Sequence, residues 1–222
     1  MDDELQKSNT SVEANLISTV KGKILTFDEF KDFRNSIGFT RGIRGTFWLQ
    51  DRSAYLYTKG QHIAPTLEDG LNFLAMARYL TSQGILYPQT EWGIYRDDED
   101  QYALFAITRR LRPITSREET NPPEGYEVLD IIPGVLGGGG KTVDQWLGHL
   151  QLSFDTPRNG HNLRRLINPW EACHKDNWGW SQDGHLFPID VEVIELKGRE
   201  DFIRAWAQET PDIRNLIKEY NN

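Results

Sequence analysis

The sequence predicts an α+β chain in two lobes. A small antiparallel-sheet lobe spans residues 37–112, a reduced and mostly helical lobe spans 113–222, and an arm with one short helix at 1–36 precedes both. Three observations predict it. Residues 37–108 hold short apolar runs separated by polar or acidic turns, with one strongly signalled helix among them. Residues 109–123 are charged and contain Pro113, Pro122 and Pro123, a composition that suits a connector. Beyond residue 123 helical spacing dominates, interrupted by a single hairpin-like stretch at 173–196.

Residues 1–22 are polar and rich in Ser, Thr and Asn, and read as a loose arm. Thr26 caps a short helix with Asp28 and Glu29 in its first turn, where acids favour the positive end of the helix dipole. Phe27, Phe30 and Phe33 recur on one side of it. Residues 46–49 and 54–58 read as strands around a polar turn, preceded by Gly38, Gly42 and Gly45, and followed by Lys59. Glycines so closely spaced allow backbone N–H groups to approach a ligand. Thr66 opens the best-defined helix, which has Glu68 and Asp69 in its first turn and stops at Gly84. Residues 90–95 and 101–108 read as strands joined by the acidic turn 96–100.

In the second half, an apolar run at 126–135 leads into four glycines, and Thr142 caps a helix that places Val143, Trp146, Leu147 and Leu150 on one face. Residues 161–166 read as another helical piece. Two helices close the sequence, one from about Arg199 to Glu209, the other capped by Thr210 with Pro211 at its first position. Between these lies the stretch with the most chemistry, 173–196. Trp178 and Trp180 sit two apart on a presumed strand and are read as core. Gln182-Asp183-Gly184 then turns the chain into a second strand that ends at Asp190. Such a hairpin brings Asn177 and Asp190 to one opening. An amide oxygen and a carboxylate together suit a hard cation such as Mg²⁺ that also holds substrate phosphates.

Thirty-three acidic against 25 basic residues give a net charge of −8, which argues against a general binder of nucleic acid or anionic membrane. One cysteine, Cys173, excludes an intrachain disulfide and a thiolate metal cluster. No run approaches the ~20 apolar residues of a membrane span. The start, Met1-Asp2-Asp3-Glu4, lacks the features of a secretory signal, so the expected location is cytoplasmic. His62, His149, His161 and His185 lack metal-ligand spacing, and adjacent Cys173 and His174 point to opposite faces of an extended chain.

The order of these parts resembles the protein-kinase-like superfamily, and within it the small-molecule phosphotransferase branch more than the regulatory protein kinases. The resemblance spans roughly residues 37–196. It implies a two-lobed kinase-like fold with ATP and Mg²⁺ in the cleft. Lys59 matches the strand lysine that steadies phosphates, and Glu68 is the candidate for its helix partner. Gly42 and Gly45 would line the nucleotide, and Ile107 would lie in the hinge bordering the adenine. Asn177 and Asp190, 13 residues apart with Asp183-Gly184 between them, match the metal-holding pair. The family's catalytic aspartate falls at Ala172. Asp176 and Glu171 are therefore the nearby acids and His174 the nearby imidazole, with Asp176 the candidate for the substrate-facing role and His174 for the base; a catalytically inactive pseudokinase acting as a protein-interaction module is the alternative. A second alternative comes from the glycine run, which with Lys141 and Thr142 nearly matches a phosphate-loop pattern and would make the chain a P-loop NTPase.

Overall fold

A computed structural model describes residues 22–36, 38, 63–128, 142–156, 164, 167–189, 198–209, 211, 214–215 and 218, and the backbone alone at 40–41, 46–48 and 54–57. The chain is a mixed α+β protein built on two sheets. The larger contains β1 (Ile24–Leu25), β2 (Thr40–Arg41), β3 (Thr46–Trp48), β4 (Ala54–Tyr57), β5 (Ile63–Ala64), β6 (Thr90–Arg96) and β7 (Tyr102–Arg109). Its order is β1-β6-β7-β4-β3-β2, and β5 also pairs with β7. Pairing is antiparallel except for β1, which runs parallel to β6 and makes the sheet mixed. The hairpin turn expected at 96–100 joins β6 to β7. There the Asp97 carboxylate accepts from the N–H groups of Glu99 and Gln101 at 3.0 and 2.8 Å, an Asx-type turn.

Side chains alternate across β6 and β7, so each face of the sheet takes one helix. Helix α1 (Phe27–Ser36) covers the face carrying Tyr95, Phe105 and Ile107 with Phe30 and Phe33. Its start is a capping box: Thr26 N–H donates to Glu29 at 2.7 Å, and Glu29 N–H donates to the Thr26 hydroxyl at 3.2 Å. Helix α2 (Leu67–Ser82) covers the other face, against Trp92, Ile94, Leu104 and Ala106. Its ends are those expected: the Thr66 hydroxyl accepts from Asp69 N–H at 3.1 Å, and Gly84 stops it at φ +72°. Gly70 sits where a Cβ would lie 2.8 Å from Ile94 and 2.9 Å from Tyr102, so this glycine lets α2 lie close on the sheet.

The smaller sheet is β8 (Arg112–Pro113), β9 (Trp178–Trp180) and β10 (Leu186–Pro188), in the order β10-β9-β8 and antiparallel throughout. The expected hairpin is thus present, closed by Gly184 at φ +79°, and the connector adds a third strand to it. Short helix α3 (Ser116–Thr120) follows β8, and α4 (Val143–Asp155) packs Trp146 and Leu150 on the Trp178, Trp180 and Leu186 side of the hairpin. The two tryptophans are core, as expected. The opposite side, carrying Phe187 and Ile189, meets Tyr87 and Leu111 of the larger unit. The hairpin therefore lies between two cores.

Helix α5 (Pro169–Ala172) precedes the hairpin, and α6 (Glu200–Glu209) follows it. The sequence places this helix in the second lobe. Instead it packs on the outer side of α2, where Ile203 and Ala207 are buried and Tyr79 meets Trp206 edge-to-face at 5.1 Å. The reason is the composition of α2, which is apolar on nearly all sides and needs a cover on its outer face as well as a sheet. No helix among the described residues is long and apolar enough to cross a membrane.

Candidate functional site

The segment from α5 to β10 folds around one side chain. Asn168 caps α5 by accepting from Trp170 N–H at 3.0 Å, and Pro169 occupies its first turn. A 3₁₀ turn, Lys175–Asn177, then delivers the chain into β9. Asn177 pairs with the end of the second arm, its carbonyl accepting from Ile189 N–H at 2.7 Å. Its side-chain Nδ2 donates to the carbonyl of Glu171 at 2.8 Å and to the Glu171 carboxylate at 2.7 Å. Both partners are acceptors, so the amide nitrogen must face them and the orientation of the group is determined. Among the described residues no donor reaches Asn177 Oδ1.

The surroundings hold this turn in place. Lys175 forms an ion pair with Glu119 of α3, tying the 3₁₀ turn to the connector helix. Arg112 on β8 grips Glu118 through both its terminal nitrogens, at 2.8 and 3.0 Å. That grip, with the Thr115 N–H and hydroxyl, lowers the Glu118 carboxyl from an ordinary 4.5 to about 2. A carboxyl depressed in the folded state stabilises it above pH 4.5 and loses that contribution as pH falls toward 2. Glu118→Gln is expected to flatten the acid decline of stability over that window, measured by urea melts at stepped pH; an unchanged slope would contradict the pairing.

Gly179 makes the close approach of these strands feasible. A Cβ there would stand 2.7 Å from the Ile189 side chain and 2.9 Å from the Arg112 carbonyl. Behind the turn, Trp178 Nε1 donates to the Ala172 carbonyl at 2.8 Å, and Ala172 itself is fully buried. Burial pushes the Cys173 thiol up to about 11, with Asp155 contributing, so little reactive thiolate exists at neutral pH.

The expected site residues fall out as follows. Asn177 stands at the mouth of the hairpin; β10 ends at Pro188, and Ile189, the last described residue before Asp190, bonds to Asn177. Asp190, Lys59, Gly42, Gly45 and Lys141 lie outside the described residues. Asp176 is exposed in the 3₁₀ turn. His174 is exposed, with its ring 4.9 Å from Trp170. Thr142 is the cap of α4, its hydroxyl accepting from Gln145 N–H at 3.2 Å.

Two of the expected residues have other neighbours among the described residues. Glu68 is mostly exposed and faces Arg204 of α6 at 3.6 Å. It lies two residues, about 200° of helix, from sheet-facing Gly70, and so occupies the α6 side of α2. Arg204 also pairs with buried Asp69. Ile107 is a core residue inside β7, paired with Leu56 and Glu91 on its two sides, and the connector begins beyond Arg109. One residue without an assigned role emerges: Glu171, the carboxylate that actually reaches Asn177. Its signal in the sequence is only its place as an acid beside Ala172.

Among the described residues no group of three or more His, Cys, Asp or Glu side chains could hold a metal unaided. No protein-family model matches the chain, and neither a curated protein nor a solved structure matches it.

Proposed function

We propose that the chain is a kinase-like nucleotide-binding protein. In this reading Asn177 and Asp190 hold Mg²⁺, and Lys59 contacts the phosphates of ATP. One observation carries it: the Ile189 N–H donates to the Asn177 carbonyl, so the residue that precedes Asp190 in the chain is held against Asn177. The donor chemistry fits the ion. Asn177 gives both amide hydrogens to Glu171, which leaves its oxygen for a hard cation that takes oxygen ligands. Bound there with ATP, the metal would neutralise phosphate charge. The element order supports the same reading: hairpin, strand leading to Lys59, helix α2, two strands, connector, helix, hairpin. The nucleotide would be expected where the hairpin, packed on both cores, meets the larger sheet.

The second reading, an inactive pseudokinase serving as an interaction module, draws on Ala172. This residue is fully buried at the family's usual acid position, with its carbonyl occupied by Trp178. The two readings share the nucleotide and differ in turnover.

Thermal melting with ATP and Mg²⁺ tests the proposal. At a hundredfold excess over Kd, binding adds about 2.7 kcal/mol, roughly 5–10 °C for a chain of this size. Asn177→Ala and Asp190→Ala should remove the Mg²⁺-dependent part of that rise. A wild-type protein whose melting is indifferent to ATP and Mg²⁺ overturns the proposal. A shift with transfer of the terminal phosphoryl group identifies a phosphotransferase, and a shift without it identifies the inactive relative.

A further inference from the structure

We infer that Glu171 is a positioning residue for the cation site, acting through Asn177. The inference rests on the reading of Asn177 as a metal ligand and adds the residue that makes it one. An asparagine amide can present oxygen or nitrogen to the same point, and only the oxygen binds a cation. Something must break that symmetry. Glu171 does so with two acceptors from one residue, its main-chain carbonyl at 2.8 Å and its carboxylate at 2.7 Å, both taken by Asn177 Nδ2. A turned amide would set Oδ1 against a carboxylate, two like partial charges within hydrogen-bond distance.

The scaffold around Glu171 keeps this arrangement fixed. The α5 helix is capped by Asn168 and ends where the Cys173 N–H returns to the Pro169 carbonyl at 3.1 Å. Trp178 ties the next carbonyl, that of Ala172, to the buried face of β9 at 2.8 Å. The Lys175–Glu119 pair anchors the intervening turn to α3. Glu171 and Asn177, six residues apart, are thereby held at one separation. Partners that orient metal ligands in this way are commonly worth 10–100-fold in affinity.

The test uses the full chain, a non-hydrolysable ATP analogue and Mn²⁺, with bound and free Mn²⁺ separated by electron paramagnetic resonance. Glu171→Gln keeps an acceptor oxygen and is expected to bind Mn²⁺ within about threefold of wild type. Glu171→Ala leaves only the main-chain acceptor, so affinity should fall about tenfold. Glu171→Lys offers a donor where an acceptor stood, favours the turned amide and should lose at least as much; it also serves if the alanine variant does not fold. A folded Glu171→Ala or Glu171→Lys protein within twofold of wild type, when Asn177→Ala has lost binding, overturns the role of Glu171 and leaves the metal site standing. Wild-type protein that binds no Mn²⁺ with the analogue, or Asn177→Ala that binds it normally, overturns both.

Discussion

Trp178→Ala is expected to cost about 3–5 kcal/mol, the usual range for deleting a buried large aromatic side chain. A loss of that size is a large part of the roughly 5–15 kcal/mol that holds a typical domain together. Trp178 is fully buried, and its ring meets that of Trp146 edge-on at 4.3 Å, an arrangement that adds to simple area burial. Removing the indole opens a cavity against α4. It also leaves the Ala172 carbonyl, which accepts from Nε1 at 2.8 Å, without that donor. Trp178→Phe keeps most of the volume and loses the hydrogen bond, so it should cost much less than the alanine variant. Equilibrium urea unfolding followed by far-UV circular dichroism measures both. A cost below about 1 kcal/mol for Trp178→Ala would mean that β9 is not seated on α4 as described.

Gly93→Val is the second large effect, and its sign is informative. Strand propensity alone favours valine over glycine. The structure predicts the opposite. Gly93 faces Phe105 across the β6–β7 pair, and a Cβ at position 93 would stand 2.2 Å from Cζ of that ring. The ring cannot step aside, since Phe105 is fully buried between Phe30 at 5.1 Å and Phe33 at 5.8 Å. Overfilling such a site costs about 1–3 kcal/mol, and the β-branched side chain belongs at the upper end or beyond. Pairing the change with Phe105→Leu should recover part of the loss, a coupling that a double-mutant cycle reads directly. A stabilised Gly93→Val protein would show that the ring does not lie over this glycine.

Local signals were the legible ones. The Thr66 cap and the Gly84 stop defined α2 at both ends, and Asp183-Gly184 announced the β9–β10 hairpin, because each device acts within a few residues. What escaped was set by distant partners. Nothing in the two-residue run Ile24–Leu25 reports that it pairs parallel to β6. Arg112–Pro113 read as connector because Pro113 argues against a strand, although it is tolerated on the edge strand it forms. Glu68 is the candidate because it is the one glutamate of its helix, a fact that carries no information on the side of the helix it occupies. Gly70, two positions on, fixes that side, but only once the sheet it touches is known. Glu171 is legible as an acid near Ala172 but not as the partner of Asn177, because a six-residue reach across a 3₁₀ turn follows no helical or strand period.

The seating of α6 on α2 imposes a schedule on assembly. Asp69 and its partner Arg204 are 135 residues apart. At ribosomal rates of about 5–20 residues per second, α2 leaves the exit tunnel roughly 7–27 s before the helix that shields it. Throughout that wait the flank around Ala75 and Tyr79 lacks the cover that α6 gives it in the finished fold. Detachment of α6 in the finished protein would bare the same flank while leaving the β6–β7 ladder intact.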